Sequence, residues 1–133
     1  MSELISELIH EHALLLSALD KAGNISLSIE DRKKEFDAIK ELLLLHIQNE
    51  DKNLYPVLKE AAKTDPTINR LLNSYFNSMS EISQMVFDFV EKYSKEKSDM
   101  AYIADFQVLY LKLKSRINKE ENILFPKYES LFS

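Results

Sequence analysis

Apolar residues recur along the chain at alternating intervals of three and four positions, which is the spacing of one face of an α-helix. The first stripe of this kind is Ile5, Leu8, His12, Leu15, Leu19 and Ala22. It predicts a helix from about Ser2 to Ala22 that is closed by Gly23 and Asn24, a common pair at helix C-termini. One core position of this helix is a histidine, whereas His10 lies off the stripe and is expected on the surface.

The second stripe has polar residues at its centre and consists of Phe36, Ile39, Leu43, His46, Glu50, Asn53 and Val57. It predicts a helix that is capped by Ser28 and ends near Lys63. Pro56 lies inside this helix, where it removes a backbone donor and clashes with the carbonyl group of Lys52. We therefore expect a bend or a break at Pro56.

Two further helices follow from the same spacing. Asp65 and Pro66 are suited to the N-cap and the first position of a third helix. Its stripe is Ile68, Leu72, Tyr75, Met79, Ile82, Val86, Phe89 and Tyr93. A polar link at 95–98 follows, and Ser98 or Asp99 is expected to cap a fourth helix. The stripe of that helix is Tyr102, Phe106, Leu109, Leu113, Arg116, Glu120 and either Ile123 or Leu124.

Four helices with short connections predict an all-α fold, an up-down-up-down antiparallel four-helix bundle. Composition agrees, because one glycine and three prolines in 133 residues are too few turn-forming residues for a sheet protein. This length suffices for a core, and we expect one domain over residues 1–133. The chain has no cysteine, which excludes disulfides and thiolate metal sites and is consistent with the expected cytoplasmic location.

The charge and hydropathy of the chain argue against two classes of binding partner, nucleic acids and membranes. A net charge of −5 with mixed signs argues against nucleic acid. No apolar run approaches the ~18 residues that a membrane span needs, and the acidic start of the chain is unlike a signal peptide. We therefore expect a soluble protein without nucleic-acid or membrane partners, and leave a protein partner open.

Four polar residues stand on core stripes where leucine or valine would be usual: His12, His46, Glu50 and Glu120. Because His46 and Glu50 are four residues apart, they lie on one face of their helix. Burying an imidazole and a carboxylate is unfavourable unless a positive group satisfies them. Two imidazoles and two carboxylates are suitable ligands of iron, manganese or zinc. A buried histidine–carboxylate pair without metal remains the alternative.

The stretch 46–56 recurs 70 residues later as 116–126, with Glu50 aligned on Glu120. An internal repeat suggests two related halves that face each other across a shared centre. One copy begins with a histidine and the other with Arg116, which can form a structural salt bridge to Glu120, four residues further on.

These motifs resemble the hemerythrin-like family, the HHE cation-binding domains. The resemblance rests on Glu11-His12, on His46-x-x-x-Glu50 with Leu54-Tyr55-Pro56, and on Glu120-Glu121 with Leu124-Phe125-Pro126. It covers essentially the whole chain and implies a four-helix bundle that holds non-haem iron. Members of the family bind dioxygen or serve in oxygen, iron or redox sensing and storage, and many are small cytoplasmic bacterial proteins.

The resemblance implies metal ligands at His12, His46, Glu50 and Glu120. Glu121 is the alternative to Glu120. The sequence departs from the family at Arg116, which replaces the histidine of the fourth helix. It departs again in the third helix, which has no histidine and carries Ile82 at the nearest position.

What survives resembles the ligands of one iron together with two bridging acids. We therefore expect one metal ion, iron or another divalent metal, rather than a diiron pair. The guanidinium of Arg116 is expected to contact Glu50 and Glu120 in place of the second metal. The expected function is cation binding, more in the manner of a sensor or store than of an enzyme. The alternative is a metal-free regulatory or interaction module that has lost the diiron centre.

Overall fold

The computed structural model describes residues 2–24, 26–95 and 99–132. In these ranges the helices are α1 (Glu3–Ala22), α2 (Ile29–Asn49), α3 (Tyr55–Ala62), α4 (Pro66–Lys95), α5 (Asp99–Lys119) and α6 (Phe125–Ser130). Two π-helical turns, Glu50–Leu54 and Glu120–Leu124, join α2 to α3 and α5 to α6, so the chain forms four long helical segments. The predicted all-α, antiparallel four-helix bundle is confirmed. Across the described ranges, every helix is too short or too polar to cross a membrane.

Helix α1 begins and ends close to the predicted positions. The side chain of Ser2 accepts a hydrogen bond from the backbone N–H of Ile5 at 3.2 Å, and the N–H of Gly23 donates to the carbonyl of Leu19 at 3.0 Å. Gly23 has a φ of −89°, which any residue adopts. A Cβ at this position would lie 2.8 Å from the ring of Phe106, so the glycine is needed for the close approach of α5.

The predicted N-caps of α2 and α4 are also present. The hydroxyl of Ser28 accepts from the N–H of Asp31 at 3.1 Å, and the carboxylate of Asp65 accepts from the N–H of Thr67 at 2.9 Å. Such bonds satisfy backbone donors that have no partner inside the helix. Of the predicted link at 95–98, Lys95 is the last residue of α4, and residues 96–98 lie outside the described part of the chain together with the predicted cap at Ser98. Helix α5 begins at Asp99.

The interruption expected at Pro56 takes the form of a π-helical turn. The N–H of Tyr55 donates to the carbonyl of Glu50, five residues earlier, just before the proline that lacks a donor. The wider turn changes which residues face the core after Glu50. Leu54 is buried and Asn53 is exposed, so the prediction that the core stripe continues through Asn53 and Val57 is wrong. Val57 is only half-buried.

The same turn occurs in the second copy of the repeat. The N–H of Phe125 donates to the carbonyl of Glu120, and Leu124 rather than Ile123 is buried. The equivalence of Glu50 and Glu120 that the sequence repeat suggested is therefore also a structural one. Each of these two glutamates is the first residue of a π-helical turn.

Two apolar clusters fill the bundle, and a layer of buried polar residues separates them. On α1, Leu8 belongs to one cluster and Leu15 to the other, with His12 between them. His46 and Glu50 lie in the same way between Leu43 and Leu54, and Glu120 lies between Leu113 and Leu124. The described side chains of α4 add no buried charged residue to this layer. The site predicted from the sequence is this layer.

The larger cluster also contains a buried cation that the sequence did not predict. Arg32 is buried, with its guanidinium carbon 5.4 Å from the centroid of the Tyr102 ring. The Tyr102 hydroxyl donates to the carbonyl of Ala22 at 3.3 Å. An arginine that stacks on an aromatic ring retains a favourable contact when it is partly desolvated.

Candidate metal centre

Four side chains converge in the polar layer of the bundle. The Nε2 atoms of His12 and His46 are 3.0 Å apart, and Oε1 of Glu120 lies 3.0 Å from the first and 3.3 Å from the second. Oε1 of Glu50 lies 3.2 Å from Nε2 of His46. Each of the four residues is at most 2% exposed. The structure thus brings together the four residues that the sequence analysis selected.

Each imidazole is held through its other ring nitrogen. Nδ1 of His12 lies 2.7 Å from Oε2 of Glu121, and Nδ1 of His46 lies 2.7 Å from Oε1 of Glu11. The second carboxylate oxygen of Glu11 accepts from the side-chain amide of Asn49 at 2.8 Å. Because an ionised carboxylate can only accept, each Nδ1 carries a proton and donates it. In a neutral imidazole, the Nε2 atom that faces the centre is then an acceptor.

The centre is consequently a group of acceptors that requires a positive charge. Two Nε2 lone pairs and a carboxylate oxygen of Glu120 face one another at 3.0–3.3 Å. Oε2 of Glu50 is buried without a hydrogen-bond partner. Imidazole nitrogen and carboxylate oxygen are ligands that zinc and iron accept in proteins. The ligand atoms of His12, His46 and Glu120 lie within 4.8 Å of one another, which suits a metal ion.

The crowding of these groups alters their pKa values. Burial acts to lower the pKa of His46, but hydrogen bonds to Glu120 and Glu50 outweigh it and raise the pKa to about 11. Burial and the charge of Glu120 raise the pKa of Glu50. Burial acts to raise the pKa of Glu120 too, but its hydrogen bonds with His12 and His46 and the charge of Arg116 keep it well below its usual range. Without a metal ion, a proton on His46 therefore supplies positive charge to the centre.

Arg116 is buried beside the same carboxylates. Its Nε donates to Oε2 of Glu120 at 3.0 Å, and its terminal nitrogens donate to the carbonyl of Tyr75 at 2.7 Å and the hydroxyl of Tyr55 at 3.1 Å. The predicted salt bridge to Glu120 is confirmed. The predicted contact with Glu50 is wrong, because the three guanidinium nitrogens bond to Glu120, Tyr75 and Tyr55, and Oε2 of Glu50 has no hydrogen-bond partner.

The remaining residues of interest lie around this centre. Glu121, the alternative to Glu120, bonds to the outer nitrogen of His12 and is partly exposed. His10 is exposed and Ile82 is packed in the larger apolar cluster, as their positions in the sequence indicated. Sequence reasoning missed the contacts of Glu11 and Asn49. Glu11 and Glu121, the two outer glutamates, each stand next to a residue of a core stripe in the sequence. This is the sequence signal that could have identified them.

Comparison with protein families agrees with this geometry. A family model described as the Hemerythrin HHE cation binding domain matches residues 3–128. The match covers α1 to α5 and the first part of α6, and so includes every residue of the centre. No curated protein and no solved structure gave a significant match. A match over nearly the whole chain shows that the protein belongs to the hemerythrin HHE cation-binding domain family.

Proposed function

We propose that the protein binds one divalent metal ion, of the iron type, through His12, His46, Glu50 and Glu120. The observation that carries the proposal is the meeting of two Nε2 atoms and Oε1 of Glu120 at 3.0–3.3 Å, with both Nδ1 protons directed away to outer carboxylates. Oε2 of Glu50, which is buried without a partner, supplies a further acceptor beside them. A metal ion satisfies all these acceptors at once.

The residues around the centre favour one ion over two. Arg116 stands where the family has a histidine, and its guanidinium already bonds to Glu120. A second cation on that side would meet the fixed positive charge of Arg116 in a buried environment, where like charges repel strongly. In the part of the chain that the structure describes, residues of a ligand type gather in a single group, His12, His46 and Glu120.

A bound iron ion would supply a change between two oxidation states, and the two imidazoles and the carboxylates of Glu50 and Glu120 would hold it. The chain itself holds the imidazoles in one orientation, keeps the carboxylates buried and excludes bulk water from the polar layer. One ion per chain is a small capacity for a store, so we favour a sensor of oxygen, iron or redox state. The expected single domain and the expected cytoplasmic location stay predictions.

The metal content of the purified protein tests the proposal. The protein is expressed with iron supplied, desalted under anaerobic conditions and analysed for metal by mass spectrometry, with the His46→Ala variant as control. We expect about one iron per wild-type chain and a strong loss in the variant. Two tightly held irons per chain would contradict the single-metal site. No metal, with no thermal shift on adding Fe²⁺, would contradict metal binding.

A metal-free interaction module is the second candidate. Arg116 already pairs with Glu120, and the raised pKa of His46 allows a proton to take the place of a metal. Helix α5 also exposes apolar side chains, among them Met100 at 84% and Leu111 at 63%. A protein that carries no metal after expression in iron-rich medium, and that purifies with a protein partner bound, would favour this function.

A further inference from the structure

We propose that Glu11 and Glu121 are positioning residues that set the metal affinity of the centre. Each accepts the Nδ1 proton of one histidine and thereby presents the lone pair of Nε2 to the cation. This inference rests on the proposed metal binding, and it assigns a role to two carboxylates that do not belong to the proposed ligand set.

The geometry of the two contacts is nearly the same. Both Nδ1-to-oxygen distances are 2.7 Å, which is typical of a charge-assisted hydrogen bond. Each contact also joins two different helical segments. Glu121, in the turn after α5, reaches His12 on α1, and Glu11 on α1 reaches His46 on α2.

Packing fixes the plane of the His12 ring, but it does not decide which ring nitrogen carries the proton. The His12 ring stacks on Phe125 at a centroid distance of 5.4 Å and an interplanar angle of 14°. Such stacking does not determine which nitrogen carries the proton. That choice depends on the acceptors at each end of the ring.

The inner acceptors would otherwise favour the wrong tautomer. Oε1 of Glu120 lies 3.0 Å from Nε2 of His12 and would accept a proton from it. An imidazole with its proton on Nε2 cannot ligate a metal through that atom. The carboxylate of Glu121 opposes this by holding the proton on Nδ1, and it also makes the imidazole a stronger ligand. Glu11 does the same for His46.

The two outer glutamates differ in how they are held. Glu11 has a second partner, because its other oxygen accepts from the amide of Asn49 at 2.8 Å. A glutamine at this position offers one acceptor oxygen, so it would keep both contacts only if the amide of Asn49 turned over and gave up the hydrogen bond that it accepts from Asn53 at 2.7 Å. Glu121 borders a surface groove with Leu16 and Asn118, so a glutamine there is free to turn its oxygen towards His12. We therefore expect Glu11→Gln to be the more harmful of the two glutamine substitutions.

Zn²⁺ is a suitable probe because it has no redox chemistry and permits NMR of the ring nitrogens. Its affinity is measured by calorimetry for the wild type, Glu11→Gln, Glu121→Gln, Glu121→Ala and the control Glu7→Gln. Glu7 is exposed on α1, one turn before Glu11, and the control removes the same charge. We expect Glu11→Gln and Glu121→Ala to bind Zn²⁺ about 10–100-fold more weakly than the wild type. Glu121→Gln should be intermediate and Glu7→Gln unchanged.

Nitrogen-15 NMR of the histidine rings reports which ring nitrogen carries the proton. If Glu11 and Glu121 only stabilised the fold, their substitution would not change this proton position. In the Zn²⁺-loaded wild type, both histidines should show a protonated Nδ1 and a metal-bound Nε2. In the metal-free Glu121→Gln and Glu121→Ala variants, the proton of His12 should occupy Nε2 more than in the wild type, while circular dichroism shows an unchanged helix content.

The outcomes separate this inference from the proposed function. If the wild type binds Zn²⁺ and the Glu11 and Glu121 variants bind it as tightly as Glu7→Gln does, the positioning role is wrong and the metal site stands. Zinc bound through Nδ1, or an unchanged proton position of His12 in Glu121→Ala, would also overturn the role. A wild type that binds neither Zn²⁺ nor Fe²⁺ would overturn both proposals.

Discussion

Nε of Arg116 lies 3.0 Å from Oε2 of Glu120, while the other oxygen of the same carboxylate lies 3.0 Å from Nε2 of His12. One buried carboxylate thus contacts a guanidinium on one side and the candidate metal centre on the other. The guanidinium is part of the chain, so its charge is present whether or not a metal is bound. Its charge adds to the hydrogen bonds with His12 and His46 that keep the pKa of the buried Glu120 well below its usual range.

Removal of the Arg116 side chain should strongly destabilise the metal-free protein. Arg116→Met leaves the carboxylate of Glu120 without its guanidinium partner and the carbonyl of Tyr75 without its donor. Breaking a buried ion pair in this way costs about 3–5 kcal/mol of unfolding free energy. Chemical denaturation measures the loss.

Lys112→Gln is the matched control for that experiment. Lys112 lies one turn earlier on α5 and pairs with Glu81 at 2.8 Å in an exposed position. The loss of an exposed pair costs at most about 1 kcal/mol. Equal effects of the two substitutions would show that Arg116 does not hold the centre together.

Much of the fold follows from the sequence because local signals and periodicity agree. Ser28 and Asp65 cap the helices that their positions predicted. The stripes on α1, α4 and α5 locate the core because these helices keep a regular period. The π-helical turns were not predicted, since Pro56 shows that the helix is disturbed but not that the disturbance adds a residue to the turn.

In the candidate site, too, the sequence predicts some of the residues, while others depend on tertiary packing. The four inner residues lie on core stripes, so periodicity alone selects them. Glu11 and Glu121 lie one position away from the stripes, and their contacts depend on how neighbouring helices are rotated about their axes. The burial of Arg32 against Tyr102 likewise depends on tertiary packing rather than on spacing along α2.

Histidines introduced at positions 82 and 116 should raise the metal capacity. Ile82 and Arg116 line the same cavity between α4 and α5. In the double variant Ile82→His with Arg116→His, the fixed charge is removed and two imidazoles are added on the side of Glu120. We expect the iron content to rise above one per chain, measured by mass spectrometry. The Ile82→His single variant is the control, and a double variant with unchanged iron content would contradict the idea that Arg116 replaces a metal.

Metal should stabilise the wild type and not a variant that lacks one of the imidazoles. A ligand present at 100 times its dissociation constant raises the unfolding free energy by about 2.7 kcal/mol. We expect Fe²⁺, added anaerobically, to raise the melting temperature of the wild type and a chelator to reverse the change. His12→Gln should abolish this rise in melting temperature. His10→Gln should keep it, because His10, two residues before His12, has an exposed side chain. Loss of the response in both variants would argue against a specific site at His12.

High pH should destabilise the protein through Tyr102, far from the candidate centre. Burial raises the pKa of Tyr102 to about 12, although the charge of Arg32 opposes the increase. The unfolded chain loses this proton near pH 10, so between about pH 10 and 12 the unfolded state binds fewer protons and stability falls as the pH rises. In Tyr102→Phe this contribution is absent. Unfolding free energies measured from pH 9 to 11.5 should therefore decline less steeply in the variant than in the wild type, and parallel declines would contradict a raised pKa at Tyr102.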